Sequence, residues 1–428
     1  MTAPLWQKGA LELDAAVQRF CAADDVVVDR ELFPFDVRAT AAHTAGLGRI
    51  GVLTGDEVAR LHALLDELLA RFTDGRFVVD DRFEDGHTAI EAFLTEQSGE
   101  LGKKVHTARS RNDQVLVAAR LWLKERLQQL DATTAAAAAA CLDAARTTGN
   151  VVMPGYTHLQ RAMPTTLAAF FLGHAESLLD SRDAARAALV LVDKNPLGTG
   201  AGFGVSLPLD RDGVTADLGM QGVVVSPQAA QNSRGKVELF ALQALHLATL
   251  DVRRLAWDLS LFSTAEFGFV ALPDRYTTGS SLMPNKRNPD VVELLRTLPA
   301  VVEGAMAETQ AVLSLPSSYH RDLQATKAPV VRAFARALQG LGFVPALVQN
   351  LRFDESALRA AVSPDMHATD RALELVVQGL PFRDAYKQAA AEIPTYAGRS
   401  IDDSVQQRVS LGGAGNLGLE RVADRLRR

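Results

Sequence analysis

Residues Asp113 to Gly149 read DQVLVAARLWLKERLQQLDATTAAAAAACLDAARTTG. The stretch is rich in Ala, Leu, Gln, Lys and Arg, which favour the helix, and holds no Gly or Pro before Gly149. At a rise of 1.5 Å per residue it forms a helix of about 55 Å, too long for a small compact domain. The alanine run from Ala135 to Ala140 lies inside it and reads as a surface for close helix packing rather than a low-complexity tract.

Working outward, the same helical spacing of apolar residues, three and four apart, recurs over Thr165–Lys194, Ala229–Phe262, Pro289–Leu313 and Pro329–Leu351. Five long helices in succession predict a bundle. Strand signals are few: Phe77–Val79 and Gly222–Val225 are short β-branched runs without comparable partners. The expected fold class is therefore mainly α, with a central five-helix bundle. A boundary near Lys104 sets off an N-terminal helical region (1–104) from the long-helix region (105–352). Another near Arg352 opens a C-terminal region of shorter helices (353–428), whose end, SLGGAGNLGLERVADRLRR, reads as a loop leading into a basic helix. There is no internal repeat.

Composition narrows the function. The chain has 428 residues, 45 Lys and Arg against 51 Asp and Glu, and a net charge of −6. Its basic residues are scattered, so it lacks the footprint of a nucleic-acid binder, although a few aimed cations suffice for a small anion. Ala337–Leu351 and Asn195–Leu209, the longest uncharged stretches, fall short of the ~18 apolar residues of a membrane span. The opening MTAPLWQKGALELD has no basic region followed by an apolar core, so no secretory signal is expected. Cys21 and Cys141 make no disulfide framework, which fits a reducing cytoplasm.

Chemistry is expected in the Gly-, Pro- and polar-rich segments between helices. The most informative is GSSLMPNKRNP (279–289), with two hydroxyls on a Gly turn followed by a cation and an amide. Asn288 and Pro289 read as the N-cap and first-turn pair of a helix. Lys286 and Asn288 then lie at a helix N-terminus, a carboxylate pocket. A purely structural loop needs neither two Ser nor the Lys and Arg. Glu293 is expected in the second turn of that helix, close enough to orient a neighbouring histidine; alone it would be a solvated residue. His158 sits in PGYTHLQR (154–161). A lone His is more often structural than catalytic, and its neighbours Thr157 and Gln160 shift that balance modestly. In HTARSRNDQ (106–114) two Arg, Ser110 and Asn112 precede the long helix, whose dipole favours an anion. The alternative there is simple capping by Asn112 or Asp113, which would not require Arg109 and Arg111. The run Gly198–Gly204 does not give a dinucleotide fingerprint, and there is no phosphate loop, His-Glu-x-x-His or paired Cys-x-x-Cys.

Together the three segments are specific. GSSLMPNKRNP resembles the signature of the aspartase/fumarase superfamily, and HTARSRNDQV with GYTHLQRAMPTT resembles the argininosuccinate lyase family within it. The likeness extends through Leu5-Trp6, FEDGHTAIE (83–91), LGKKVHTARSRNDQ (101–114), SSYHRDLQATK (317–327) and SPDMHATD (363–370), and so over nearly the whole chain. It implies three mainly helical domains, a homotetramer with a twenty-helix core, and active sites each assembled from three chains. The implied reaction is reversible trans elimination of argininosuccinate to arginine and fumarate, without metal or organic cofactor. Ser280 would take the carbon proton and His158 would serve as acid–base group near the leaving guanidinium, held by Glu293. Lys286 would face the developing negative charge. Ser110, Arg111, Asn112, Thr157, Gln160, Asn288, Tyr319, Gln324 and Lys327 would bind substrate.

The chain departs from the family pattern at Asp25, where a substrate-binding Ser is usual, and at Ala108 for Gly, Met163 for Gln, His320 for Asn, and Ala325-Thr326 for an acidic pair. None of these removes a catalytic group. Two other readings stand beside the first. One is a related lyase releasing fumarate from a different succinyl adduct, for which Asp25 is the best support. The other is a non-catalytic structural relative, which predicts loss of at least one chemical residue.

Overall fold

A computed structural model describes residues 15–22, 24–80 and 82–428; Leu5-Trp6 lies outside them. The chain is mainly helical, and its few strands are short. Its residues divide into two compact units: 1–130, 184–246 and 300–336 form the first, and 131–183, 247–299 and 337–428 the second.

The long stretch is one uninterrupted helix, Arg111–Thr148. Ser110 caps it: the Ser110 hydroxyl accepts from the Asn112 N–H (3.2 Å), and Asp113 Oδ1 accepts from the Ser110 N–H (2.9 Å). This reciprocal arrangement satisfies two donors that an α-helix leaves orphaned at its start. Leu167–Val192 and Lys236–Phe262 are likewise continuous. The other two long stretches are interrupted. Asp290–Leu295 is followed by Leu298–Val312, and Lys327–Leu341 by Val344–Gln349. Each break precedes a proline, Pro299 and Pro345, whose ring would collide with the carbonyl four residues back and which has no N–H to donate. Ala229 lies in a separate short helix, Pro227–Asn232, set off from the next by Gly235 at φ +77°.

In the first unit, helices Asp25–Arg49, Gly55–Thr73 and Gly86–Ser98 enclose a core of Phe33, Leu47, Leu61, Leu65, Leu68, Ile90 and Leu94. The Gly55–Thr73 helix opens with a capping box between Thr54 and Glu57. Phe77–Val79, expected as a strand, is irregular chain. Its residues are held instead by core contacts: Val79 is buried in this cluster and Phe77 stacks on Phe33 and Phe83. Gly222–Val223 does pair, in parallel with Lys194–Asn195.

In the second unit, Val152–Thr157 and Gln160–Thr166 form an antiparallel hairpin, which the sparse strand signal concealed. Pro154 and Pro164 face one another in register, and the ladder is irregular between Pro154 and Tyr156. The C-terminal residues form a group of short helices ending in Leu419–Arg427, as expected.

The helical run Arg321–Gln349 contains an 18-residue window of mean hydropathy 1.2, so by length and composition alone it could cross a membrane. Half of that window is buried within the chain's own fold. Val330, Ala333, Phe334, Ala337 and Leu341 form its buried stripe, the pattern of a core helix.

Candidate active site

In the first unit, a cavity of about 210 Å³ gathers side chains from five distant stretches of sequence. Asp25 comes from the start of the Asp25–Arg49 helix, Glu84, Asp85 and His87 from FEDGH, Arg111 and Asn112 from the long helix, and Tyr319, Arg321, Gln324 and Lys327 from SSYHRDLQATK. Arg234 completes the lining. Five candidate residues, Arg111, Asn112, Tyr319, Gln324 and Lys327, therefore meet around one space. Ser110, the helix cap, holds Asn112 in place beside it.

The buried Lys327 ammonium lies 2.7 Å from Asp25 Oδ1 and 2.7 Å from Asp29 Oδ1. Burial alone would lower its pKa, but the two carboxylates reverse the sign and raise it. Asp29 is doubly engaged, because its Oδ2 accepts from the Gly86 N–H at 3.0 Å. Asp25 is pushed up to about 6, chiefly by burial and also by the Asp29 charge, against the pull of Lys327. Arg111 pairs with Glu84 (3.1 Å) and Asp85. Burial of Asp85 opposes ionisation, yet His87 and Arg111 hold its carboxyl well below the usual range. His87 in turn bonds through Nδ1 to Asp36. Burial disfavours its charge, but Asp36 raises its pKa overall. The guanidinium of Arg234 lies 5.8 Å from the Tyr319 ring centroid, a cation–π contact. Gln324 donates to the Cys21 and Ala22 carbonyls at 3.0 and 3.1 Å, tying the end of the Ala15–Ala22 helix to this wall.

In the second unit, His158 and Leu159 are the two turn residues of the hairpin, between the paired Thr157 and Gln160. Both have positive φ, 56° and 59°, a pair of values that matches a type I′ turn and that non-glycine residues rarely adopt. The tip, including Thr157, His158 and Gln160, is exposed. Holding an imidazole outward on such a turn is unusual for a merely structural histidine.

The 279–289 segment is a second hairpin, with Thr278–Gly279 paired to Arg287–Asn288. This corrects the expected helix start. Asn288 belongs to a strand, Pro289 occupies the cap position without a side-chain cap, and the helix runs from Asp290. Sheet pairing of Asn288 with Thr278 takes up its backbone and removes it from the cap position. Glu293 consequently falls in the first turn rather than the second. Between the strands, Ser280 Oγ accepts from the N–H groups of Leu282 (3.3 Å) and Met283 (3.0 Å). Two convergent N–H dipoles favour negative charge on that oxygen. Lys286 is exposed on the same loop. Glu293 is exposed and pairs with Arg296 at 3.4 Å; among the described residues this chain makes no Glu293–His158 hydrogen bond.

Sequence reasoning missed Arg234, Arg321, Glu84, Asp85, His87 and Asp29 as part of this site. FEDGH was legible only as part of a resemblance, and Arg234 stands in no recognisable motif. Asp113, weighed as a bland cap, does more: its Oδ2 accepts from the Gly198 and Gly200 N–H groups at 3.0 and 2.8 Å, docking the Gly-rich loop onto the start of the long helix.

A family model described as lyase matches residues 19–304. The fold is that of the fumarase/aspartase class. The chain resembles EDDS lyase in complex with formate with a TM-score of 0.80 at 22% identity, covering 97% of this chain and 91% of that one. It resembles class II fumarase from Schistosoma mansoni with a TM-score of 0.74 at 14% identity, covering 95% and 92%. At the level of sequence, argininosuccinate lyase from Stenotrophomonas maltophilia (strain R551-3) is 53% identical over 422 residues, 98% of each chain. Argininosuccinate lyase from Xanthomonas campestris pv. campestris (strain B100) is 52% identical over 421 residues, again 98% of each. The chain belongs to the argininosuccinate lyase family.

Proposed function

We propose that this chain catalyses the reversible trans elimination of argininosuccinate to L-arginine and fumarate in arginine biosynthesis. The observation that carries the reading is the cavity in which Asn112, Tyr319, Gln324 and Lys327 converge, in a chain of this family whose Ser280, Lys286, Asn288, Glu293 and His158 are all present. The chemical difficulty is removing a proton from carbon beside a carboxylate, which places extra negative charge on that carboxylate. Ser280 takes the proton as an alkoxide, which the Leu282 and Met283 N–H groups favour. Lys286 and Asn288 stabilise the developing charge. His158 protonates the leaving guanidinium on the opposite side and is oriented by Glu293 when the site is assembled. Ser110, Arg111, Thr157 and Gln160, with the cavity residues, hold the substrate.

The working form in this reading is a cytoplasmic homotetramer with sites shared between chains, each chain divided into regions 1–104, 105–352 and 353–428. Exposed apolar residues on the long helices, Val190, Phe240 and Leu247, support burial against other copies. Light scattering at four chain masses would bear this out.

The direct test follows fumarate by ultraviolet absorbance from argininosuccinate, adenylosuccinate and aspartate in parallel, with purified protein and no added cofactor. Release from argininosuccinate alone is expected. Release from adenylosuccinate or aspartate but not argininosuccinate would overturn the assignment in favour of the different succinyl adduct that Asp25 allows. Silence on all three would favour a diverged lyase or a structural relative.

A further inference from the structure

The proposed function gives the motif SPDMHATD (363–370) no task, and the fold shows what its last residue does. Asp370 stands in the first turn of the helix Ala368–Val377, and its side chain is buried. Arg408 Nη1 donates to Asp370 Oδ1 at 2.6 Å, and the Ser404 hydroxyl donates to Asp370 Oδ2. Arg408 Nη2 reaches Ser404 Oγ at 3.3 Å. The third nitrogen of the same guanidinium points elsewhere: Arg408 Nε donates to the Pro164 carbonyl at 3.0 Å. Pro164 belongs to the second strand of the hairpin that carries His158 and Leu159 at its turn. Pro154, opposite it, has no N–H to offer, and the carbonyl takes its donor from outside the ladder. All of these residues lie in the second unit.

A two-stranded hairpin is marginal by itself in water, and this one has an irregular register between Pro154 and Tyr156. Its first strand is held by apolar contacts: Val152 packs with Ile401, Val405 and Ala414, and the Tyr156 ring meets Phe267 edge-on at 5.8 Å. Such contacts are non-directional. The hydrogen bond from Arg408 is directional, and its donor is a rigid planar fork whose other two nitrogens are fixed on Asp370 and Ser404. We propose that Asp370 and Arg408 are positioning residues for His158: the buried ion pair fixes the guanidinium, and the guanidinium fixes the strand that carries the imidazole. The inference rests on the reading of His158 as the acid–base group of the elimination. Four strand residues, about 13 Å, separate Pro164 from Gln160 beside the turn, so the pair acts through the hairpin rather than at the reacting atoms. A small error at the base of the hairpin is carried to its tip, and a misplacement of about 1 Å in a catalytic group can cost about 100-fold in rate.

Two variants separate position from stability. Arg408→Lys keeps a cation for Asp370 but offers one nitrogen on a flexible stem in place of the fork. The double variant Asp370→Asn with Arg408→Met removes both charges together, so neither is left buried alone. Circular dichroism and thermal melting establish that each is folded. Both are expected to lower kcat for fumarate release from argininosuccinate by about 10- to 100-fold, and to speed hydrogen exchange in peptides covering 152–166 while peptides within Lys236–Phe262 stay unchanged. The decisive readout is a double-mutant cycle with His158→Asn. His158→Asn alone is expected to cost about 10²- to 10⁴-fold in kcat, and adding Arg408→Lys should then change kcat by less than about twofold, because the clamp has no imidazole left to place. A residue that merely stabilised the fold would lower activity by the same factor in both backgrounds. Wild-type kcat or unchanged hairpin exchange in folded Arg408→Lys overturns the inference, as does a full additional loss in the His158→Asn background. Wild-type turnover in His158→Asn overturns the catalytic reading of His158 instead, and faster exchange of 152–166 in Arg408→Lys would then still support the clamp on the hairpin.

Discussion

Asp113→Asn tests how the Gly-rich loop is held. In the native chain one buried carboxylate accepts three backbone N–H groups, from Ser110, Gly198 and Gly200, at 2.9, 3.0 and 2.8 Å. Burial raises the Asp113 pKa despite those bonds, so the ionised group is retained for what it ties together rather than for its own solvation. An asparagine of the same shape keeps one carbonyl oxygen, enough to serve Gly198 and Gly200 or Ser110 but not both sets. Its amide nitrogen then meets an N–H donor head-on. With about 1–3 kcal/mol for a buried donor left unpaired, and part of that offset by no longer burying a charge, the net loss is about 2 kcal/mol. At 1.4 kcal/mol per decade that is about a 30-fold rise in the local opening equilibrium. Hydrogen exchange read by mass spectrometry on peptides covering 195–213 should show the Gly198 and Gly200 amides exchanging faster by about that factor, while peptides from the Leu61–Leu68 core stay unchanged. Asp113→Ala, which removes all three acceptor contacts, should be worse. Equal exchange in wild type and Asp113→Asn would show that the loop is held by something else.

Three further outcomes are expected. Ser280→Ala should lower kcat by about 10²- to 10⁴-fold in the fumarate assay, with the melting temperature unchanged because the side chain bonds only its own loop. Gly102→Ala should destabilise by about 1–3 kcal/mol in urea unfolding, because an added Cβ would stand 2.4 Å from the Leu94 backbone carbonyl, which has no freedom to give. His87 is protonated more readily in the fold than free, with Asp36, Asp85 and Asp29 outweighing burial. Its stabilising contribution is therefore complete below pH 6.5 and lost as pH rises through the higher folded value; His87→Gln should flatten that decline in a melting-temperature profile, and a profile of unchanged slope would count against the charged dyad.

The helical framework was legible because its signals are local and repeated. A 37-residue stretch without Gly or Pro before its last residue leaves the chain few alternatives to a helix. Pro299 and Pro345 were equally visible, but a periodic pattern of apolar residues runs straight through a break when both segments bury the same stripe. The hairpin at 152–166 was hidden for the opposite reason. Its strands contain Pro154, Pro164 and Gly155, residues that ordinarily argue against a strand, and its turn is built from His158 and Leu159 rather than Asn-Gly. Neither residue carries the local preference by which such a turn is read from a window of sequence.

The cavity shows where local reading stops. Asn112, Tyr319, Gln324 and Lys327 could be named by resemblance, one motif at a time, yet their chemistry depends on partners that carry no motif. Lys327 alone is a surface cation; between Asp25 and Asp29 it becomes a buried ammonium whose charge is favoured. Arg111 looks like an anion-binding residue beside a helix start, whereas in the fold Glu84 and Asp85 already neutralise it and aim it into the cavity. Asp25 looked like a departure that weakened the functional reading. Asp25 and its partner Lys327 stand about three hundred residues apart in the chain, so a carboxylate there can be judged only after folding has supplied the ammonium beside it. Substitutions at such positions leave every motif intact, which is why the partners that set a site's electrostatics are harder to read from sequence than its reaction class.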